Sequence, residues 1–471
     1  MHCRVALSLF LAIAPFHLLA QAPPAGVLPA PMPPLGAEQF AARRTAVAAA
    51  IAKAHANQPC VVLVRGAGKQ ADFGTFAQDQ DFFYLSGVSE PGIALLLVIG
   101  ADGALLRDEL LVPPHSPFAA TWDGRFLAPG ADAAQRTGFQ TAGNVRSLEA
   151  TLAEVLAADA AGKRPLLFTL VKPAARLGST PSKANDAANG INKDKLDGRS
   201  SREDALSLVL KAAHKDLQVE SLERILHAMR PHKSEAEVAV LRRCSEIAAE
   251  GIAETMKSCE VHHYEYQLAA TARFVFSLRG AGPDAYAAIV GGGPNGCVLH
   301  YNTCDRQLQA DDLIVMDYAP TLHGYATDVT RTFPASGKFS PEQRKLVQDV
   351  HDIQTALIAD VKPGASLAAI GKKCAEMLKE RGYRNDHGPC HHVGLAVHDP
   401  HVDVLAAGMV ITVEPGAYLR DKGMGCRIED TILVTATGNE VLSKHVPSTP
   451  DAIEALMAKP GVLSVPVGLP R

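Results

Sequence analysis

Unbroken apolar runs, helical periodicities and polar stretches succeed one another along this chain. Residues 60–65 (C-V-V-L-V-R), apolar up to Arg65, and 93–99 (I-A-L-L-L-V-I), apolar throughout, predict strands buried on both faces. Residues 110–112 and 166–171 predict further buried strands. Residues 39–55 are Ala-rich with apolar positions at helical spacing, hence a helix. The stretch D-F-F-Y-L-S-G, residues 81–87, lies between the first two strands. Helix and strand signals mixed in this way predict an α/β domain over residues 37–230. Residues 178–201 are polar, with Gly, Asn, Lys and Asp throughout, and read as a loop or insertion near the domain boundary.

Residues 231–450 repeat one pattern. A helix at 234–257 opens on the capping sequence S-E-A-E, and a helix at 264–279 follows. Strands come next at 286–290, 313–317 and 327–333. The second round opens on S-P-E-Q, with Ser as cap and Pro at the first helical position, and predicts a helix at 340–361. A helix at 366–381 and strands at 409–414 and 427–434 complete it. The fold class is therefore α+β, a catalytic domain of two helix–helix–hairpin halves behind an α/β domain. Residues 451–471 read as a C-terminal tail.

The first 36 residues read as something other than fold. Arg4 precedes an apolar run of 16 residues, 5–20. A membrane span needs ~20 residues, so the run fits a signal peptide of an exported, periplasmic or secreted protein, with an uncleaved N-terminal anchor as the alternative. Residues 21–36 are a Pro-rich spacer.

Composition changes this picture little. At 471 residues the chain is long enough for two domains, and 47% hydrophobic with 20% charged residues is globular. A net charge of -4 gives no ground for a nucleic-acid partner or a stable membrane partner, and the oligomeric state stays open. Eight cysteines remain beyond the N-terminal run, scattered and without C-x-x-C pairs. They read as small buried hydrophobes, with a Cys297–Cys304 disulfide left open. Gly291–Gly293 lacks the G-K-[S/T] of a phosphate loop. The single tryptophan, Trp122, reads as packing or loop anchoring.

Acidic side chains placed inside the apolar strand patterns change more. Asp317 and Asp328 fall in M-D-Y-A-P-T-L-H-G-Y-A-T-D-V, Glu414 in T-V-E-P-G and Glu429 in C-R-I-E-D. A turn at Leu322–His323 sets Asp317 directly opposite Asp328, where like charges destabilise a sheet unless a cation lies between them. His391 sits in a loop with His387, His392, His398 and His401. Four carboxylates and an imidazole suit a pair of hard or borderline divalent ions: Mn²⁺, Co²⁺, Fe²⁺ or Zn²⁺. Such a pair activates a bridging water and polarises a carbonyl, which is hydrolytic chemistry. His300 in V-L-H-Y-N and His398 in V-H-D are candidates for substrate contact.

At these residues the chain resembles aminopeptidase P, the X-Pro aminopeptidases among the pita-bread metallopeptidases. The matching stretches are residues 288–302, 316–334, 387–399, 412–416 and 427–430. A weaker likeness to the family's creatinase-like N-terminal domain runs through residues 81–87 and 90–92. The resemblance implies that Asp317 chelates one metal, that Asp328 and Glu429 bridge both, and that His391 and Glu414 bind the second. It implies a proton shuttle at Glu414, substrate contacts at His300 and His398, and Arg427 orienting a ligand carboxylate. His387 occupies another position often filled by His, so it joins the substrate-binding candidates. Manganese is the implied metal, and peptides with Pro second are the implied substrates. A prolidase acting on X-Pro dipeptides is the runner-up. A non-catalytic peptide-binding module of the same fold is disfavoured, because all five ligands are present. Pro389–Cys390 departs from the small hydroxyl residues common in relatives, but the ligand spacing is intact.

Overall fold

The computed structural model describes residues 32–70, 74–114, 116–124, 126–160 and 162–464. The expected signal segment, most of the expected spacer and the last seven residues lie outside them.

The α/β domain carries strands β1 (Cys60–Arg65), β2 (Ala94–Ile99), β3 (Leu105–Val112), β4 (Thr141–Asn144), β5 (Leu166–Thr169) and β6 (Val219–Ser221). Its helices are α1 (Ala37–Ala54), α2 (Gln80–Ser86), α3 (Pro117–Asp123), α4 (Ala131–Thr137), α5 (Leu148–Val155), α6 (Pro181–Lys193), α7 (Arg202–Ala213) and α8 (Glu223–Met229). The sheet runs β4-β3-β2-β1-β5-β6 and mixes parallel and antiparallel pairs. Alternate residues Val61, Leu63, Leu96 and Leu111 pack on Leu152, Leu156 and Leu210. The apolar runs are therefore the sheet core, as their patterning predicts.

The stretch 178–201 is not a loop: α6 occupies 13 residues of it. The Thr180 hydroxyl caps the Lys183 N–H at 3.2 Å and Pro181 sits at the first turn. That start signal outweighs the poor helix propensity of the Asn and Gly residues that follow. Trp122 does not pack inside either. It is exposed on α3, edge-on to Phe118 with centroids 6.3 Å apart.

The second domain begins with α9 (Glu235–Ser258), whose Ser234–Glu237 capping box forms as the sequence predicts, and α10 (Glu265–Leu278). Strands β7 (Ile289–Gly292), β8 (Leu313–Asp317), the short hairpin β9 (Thr321–Leu322) and β10 (Tyr325–Ala326), and β11 (Thr330–Pro334) follow. The second round has α11 (Pro341–Ile358), α12 (Leu367–Glu380), β12 (Val410–Val413), β13 (Gly416–Leu419), β14 (Met424–Arg427), β15 (Asp430–Val434) and β16 (Asn439–Val441). The expected tail contains a helix, α13 (Pro450–Met457), with Ile453 buried.

Each round yields a three-stranded sheet, β11-β8-β7 and β12-β15-β16. The two sheets meet at one bridge, where the Glu429 N–H donates to the Thr330 carbonyl at 3.0 Å. Two hydrophobic-faced halves joined along one seam leave polar side chains at the seam with little water to meet them. Those side chains are the expected ligands.

The hairpin register differs from expectation by two residues. β11 sets Thr330, not Asp328, opposite Asp317. The turn falls on His323 and Gly324, at φ 50° and 85°, a pair of positive values that a two-residue hairpin requires. Leu322 would be strained there, so the turn moves on by one residue. Gly324 also lies against Phe83, which leaves no room for a Cβ. Asp328 consequently sits before β11. The Thr431 hydroxyl fixes it, donating to the Asp328 carbonyl at 2.7 Å and accepting from its N–H at 3.2 Å. A shift of two keeps the side chain on the same face.

Candidate metal centre

Five acidic or imidazole side chains converge where the halves meet. Asp317 ends β8, Asp328 precedes β11, Glu414 follows β12, and Glu429 joins β14 to β15. His391 lies on the loop between α12 and β12. Its Nε2 is 3.2 Å from Glu414 Oε1, 3.5 Å from Asp328 Oδ2 and 3.9 Å from Glu429 Oε1. Asp328, His391 and Glu429 present ligand atoms within 4.8 Å of one another. These residues line a cavity of about 330 Å³ together with His300, His387, His398 and Arg427. Every site residue named from the sequence is therefore in one place.

Electrostatics show a site built for cations. Burial, then the charge of Asp317, pushes the Asp328 carboxyl up to about 7. Burial, then Asp328 and Glu414, holds Glu429 well above the ordinary carboxylate range. Burial disfavours charge on Glu414 and His391 too, but their ion pairs outweigh it: His391 acts on Glu414, and Asp328, then Glu414, on His391. Glu414 is held below its usual range and His391 well above. Without a metal, an imidazolium is the counter-charge of the carboxylates. Glu429 Oε2 accepts from the Thr330 hydroxyl at 2.6 Å, while Oε1 is buried with no hydrogen-bond partner. A buried carboxylate oxygen left bare costs ~1–3 kcal/mol or more, so the atom fits a ligand still to be met. The donor set, rich in oxygen with one imidazole, fits divalent metal ions.

Neighbouring side chains hold the acids in place. Arg427 Nη2 donates to Asp317 Oδ2 at 2.8 Å, Nη1 donates to the Tyr418 hydroxyl at 2.9 Å, and Nε reaches the Thr330 hydroxyl at 3.3 Å. His387 Nε2 meets the same Tyr418 hydroxyl at 2.9 Å. The Thr412 hydroxyl approaches Glu414 Oε1 at 3.4 Å.

Tyr286 was not legible as a site residue. Its hydroxyl contacts both Asp317, at 2.6 Å, and Asp328. Burial, then Asp317 and Asp328, raises its pKa far above the ordinary phenol range, so it stays a donor. A phenol has one proton to give. Contact with two carboxylates therefore needs a second proton between them, which agrees with the raised Asp328. The only sequence signal was an aromatic residue three positions before an apolar run. Groups that orient metal ligands are worth roughly 10–100-fold in affinity. Tyr286→Phe should weaken metal binding by about that factor in a chelator-competition titration.

His300 and His398 form a different wall. The rings of His391 and His398 have centroids 4.0 Å apart. Burial, then the charge of His391, lowers His398 to about 4. Burial, then the charge of Lys183, lowers His300. Both imidazoles are therefore neutral near pH 7 and can donate an N–H without carrying charge. All eight described cysteines are free, including Cys297 and Cys304. Cys426 is buried in the core of the second half, as the packing reading expects.

Comparison with known proteins agrees with this geometry. Residues 239–436 match the model of metallopeptidase family M24, and residues 40–163 match that of the aminopeptidase P N-terminal domain. The Xaa-Pro aminopeptidase of Escherichia coli K12 is 31% identical over 422 residues, 81% of this chain and 89% of that protein. The mitochondrial intermediate cleaving peptidase 55 of Arabidopsis thaliana is 30% identical over 416 residues, 81% of this chain and 75% of that protein. Among solved structures, aminopeptidase P from E. coli with the inhibitor Pro-Leu superposes with a TM-score of 0.74 at 28% identity, covering 90% of this chain and 99% of that one. A putative aminopeptidase P from Bacillus anthracis shares the fold with a TM-score of 0.78, covering 91% of this chain and 100% of that one. With its two domains, its five converging candidate ligands and relatives along most of its length, the chain belongs to metallopeptidase family M24, among the Xaa-Pro aminopeptidases.

Proposed function

We infer that this chain is a metal-dependent aminopeptidase that removes the N-terminal residue from peptides with proline second. The bare, buried Oε1 of Glu429 amid three further carboxylates is the observation that carries the metal part of this reading. Kinship with Xaa-Pro aminopeptidases carries the proline part. The neighbour from E. coli holds Pro-Leu, the dipeptide that cleavage of an X-Pro-Leu peptide would release.

Asp317, Asp328, His391, Glu414 and Glu429 would hold two divalent ions. Bound there, the ions would supply Lewis acidity and a nucleophilic water at neutral pH. The protein groups do the rest. Arg427 and Tyr286 keep Asp317 oriented. Glu414, ionised, can take a proton on its carboxylate and return it to the leaving proline nitrogen. Neutral His398 and His300 present N–H donors to the peptide carbonyls. Oxygen-rich, hard donors support manganese as the resident metal. Arg4 and the apolar run 5–20 support export from the cytoplasm.

The test is a peptide series with manganese. X-Pro-Y tripeptides should be cleaved between X and Pro, and X-Ala-Y peptides should be cleaved far more slowly. Hydrolysis confined to X-Pro dipeptides would make the protein a prolidase instead.

A further inference from the structure

His300 lines the metal cavity from an irregular stretch between β7 and β8. It is itself exposed, so its place is set by what holds its neighbours. On one side, the Leu299 carbonyl accepts from Arg427 Nη2 at 3.4 Å, the nitrogen that also holds Asp317. On the other side stands Tyr301, whose hydroxyl donates to Glu265 Oε2 at 2.8 Å.

Glu265 opens α10 and is fully buried. Its Oε1 accepts from the Gly292 N–H at 2.8 Å and from Asn295 Nδ2 at 3.1 Å. Its Oε2 accepts from the Arg306 N–H at 3.0 Å as well as from Tyr301. These donors come from both ends and the middle of residues 292–306, and His300 lies inside that span. Gly293 lets the chain turn there: its φ is 58° and it abuts Asp312, so a side chain would be both strained and crowded.

The carboxylate does this without a cation. Among the described residues it forms no ion pair, because the Arg306 guanidinium turns to Asp312 instead. A buried carboxylate is costly unless hydrogen bonds meet its lone pairs, and here N–H and O–H donors and the amino end of α10 do so. An ionised carboxylate accepts at every lone pair and donates at none. Gln has the same shape, but its amide NH₂ would point at two of the donors. The charge, and not only the bulk, of Glu265 therefore gathers the loop.

We propose that Glu265 is a positioning residue for the reaction: it holds loop 292–306 in one conformation and so sets His300 against the substrate. It lies outside the walls of the metal cavity and acts through His300. The inference rests on the X-Pro aminopeptidase reading and adds to it a residue remote from the metals.

The test is a double-mutant cycle on X-Pro-Y cleavage with manganese. Glu265→Gln should lower kcat/KM about 10- to 100-fold, the scale of a misplaced reacting group. In a His300→Ala background the same change should lower it less than about threefold, because nothing is left to position. Tyr301→Phe removes a single donor from a half-buried residue, so it keeps the fold. It should cost about three- to tenfold, again lost without His300. Should Glu265→Gln fail to fold, the Tyr301→Phe cycle decides alone. Manganese affinity, read by chelator competition, should stay within about twofold in both single variants. Equal losses with and without His300, or no loss in either variant, overturn the proposal and leave the peptidase reading standing. A fall in manganese affinity beyond about tenfold overturns it too, since Glu265 would then support the metal ligands. A wild type that leaves X-Pro-Y intact overturns the peptidase reading and this inference with it.

Discussion

Replacing Glu429 with Gln should cut turnover on the order of 10³-fold or more, because it removes several kcal/mol of charge stabilisation at the reacting centre. The fold should survive. Glu429 is buried against Asp328, and its bare oxygen stabilises nothing in the metal-free protein. Burial and its acidic neighbours already hold Glu429 toward its neutral form without metal, so a neutral Gln should leave the metal-free variant melting at or above the metal-free wild type. The stabilisation that added manganese confers on the wild type should vanish in the variant. Thermal denaturation with and without metal reads both effects. Retention of activity within tenfold would mean that Glu429 holds no metal.

The same repulsion gives the metal-free protein a characteristic pH dependence. Asp328 is raised from 3.8 to about 7, Glu429 is raised, and His391 is raised. Groups raised on folding stabilise below their unfolded pKa and lose that contribution as pH rises through the folded value. The metal-free protein should therefore lose stability from about pH 4 upward, through Asp328 up to about pH 7 and through His391 above about pH 6.5, and metal should suppress the loss. A flat or opposite trend would contradict the charge arrangement.

The second large effect is structural and lies away from the metals. Arg230 is buried between Asp81 of α2, at 2.8 Å, and Asp399, and Lys233 reaches Asp399 at 3.3 Å. Burial works against its charge, but Asp399 and Asp81 outweigh that and hold the arginine as a permanent cation. Asp399 follows His398 directly and accepts from the Ala396 N–H, while its own N–H donates to the His392 carbonyl at 2.9 Å. One arginine thus ties the α/β domain to the histidine loop. Arg230→Met would leave two buried carboxylates short of a partner and should cost about 3–5 kcal/mol. It should also lower kcat, by loosening His398. Adding Asp81→Asn to it should recover part of the stability, since it removes a stranded charge and leaves Asp399 paired with Lys233. A loss under about 1 kcal/mol in chemical denaturation would contradict this role.

Much of the site was legible because carboxylates inside apolar strand runs are chemically out of place. Asp317, Asp328, Glu414 and Glu429 declared themselves that way, and the repeated helix–helix–hairpin pattern placed them in two halves. What the sequence concealed has three physical causes. Tyr286, Thr330 and Tyr418 are neutral residues that pack as readily as they orient a ligand, so only coordinates reveal their hydroxyl contacts. The hairpin register depended on which residues take positive φ, and Leu322 was the wrong choice beside Gly324. The helix α6 was hidden by Asn and Gly content, although Thr180–Pro181 was a start signal of the kind that located α11. The D-F-F-Y-L-S-G stretch marked the N-terminal domain, but its service to the site runs through Arg230, far along the chain from Asp81.

In the proposed function, two metal ions held by these five residues drive hydrolysis of X-Pro bonds. The most direct measurement is metal content against turnover. The protein would be stripped with chelator and titrated with manganese while X-Pro-Y cleavage is followed. We expect no turnover in the stripped protein and recovery that saturates at two ions per chain. Full turnover in the stripped protein, with no metal bound, would contradict the account.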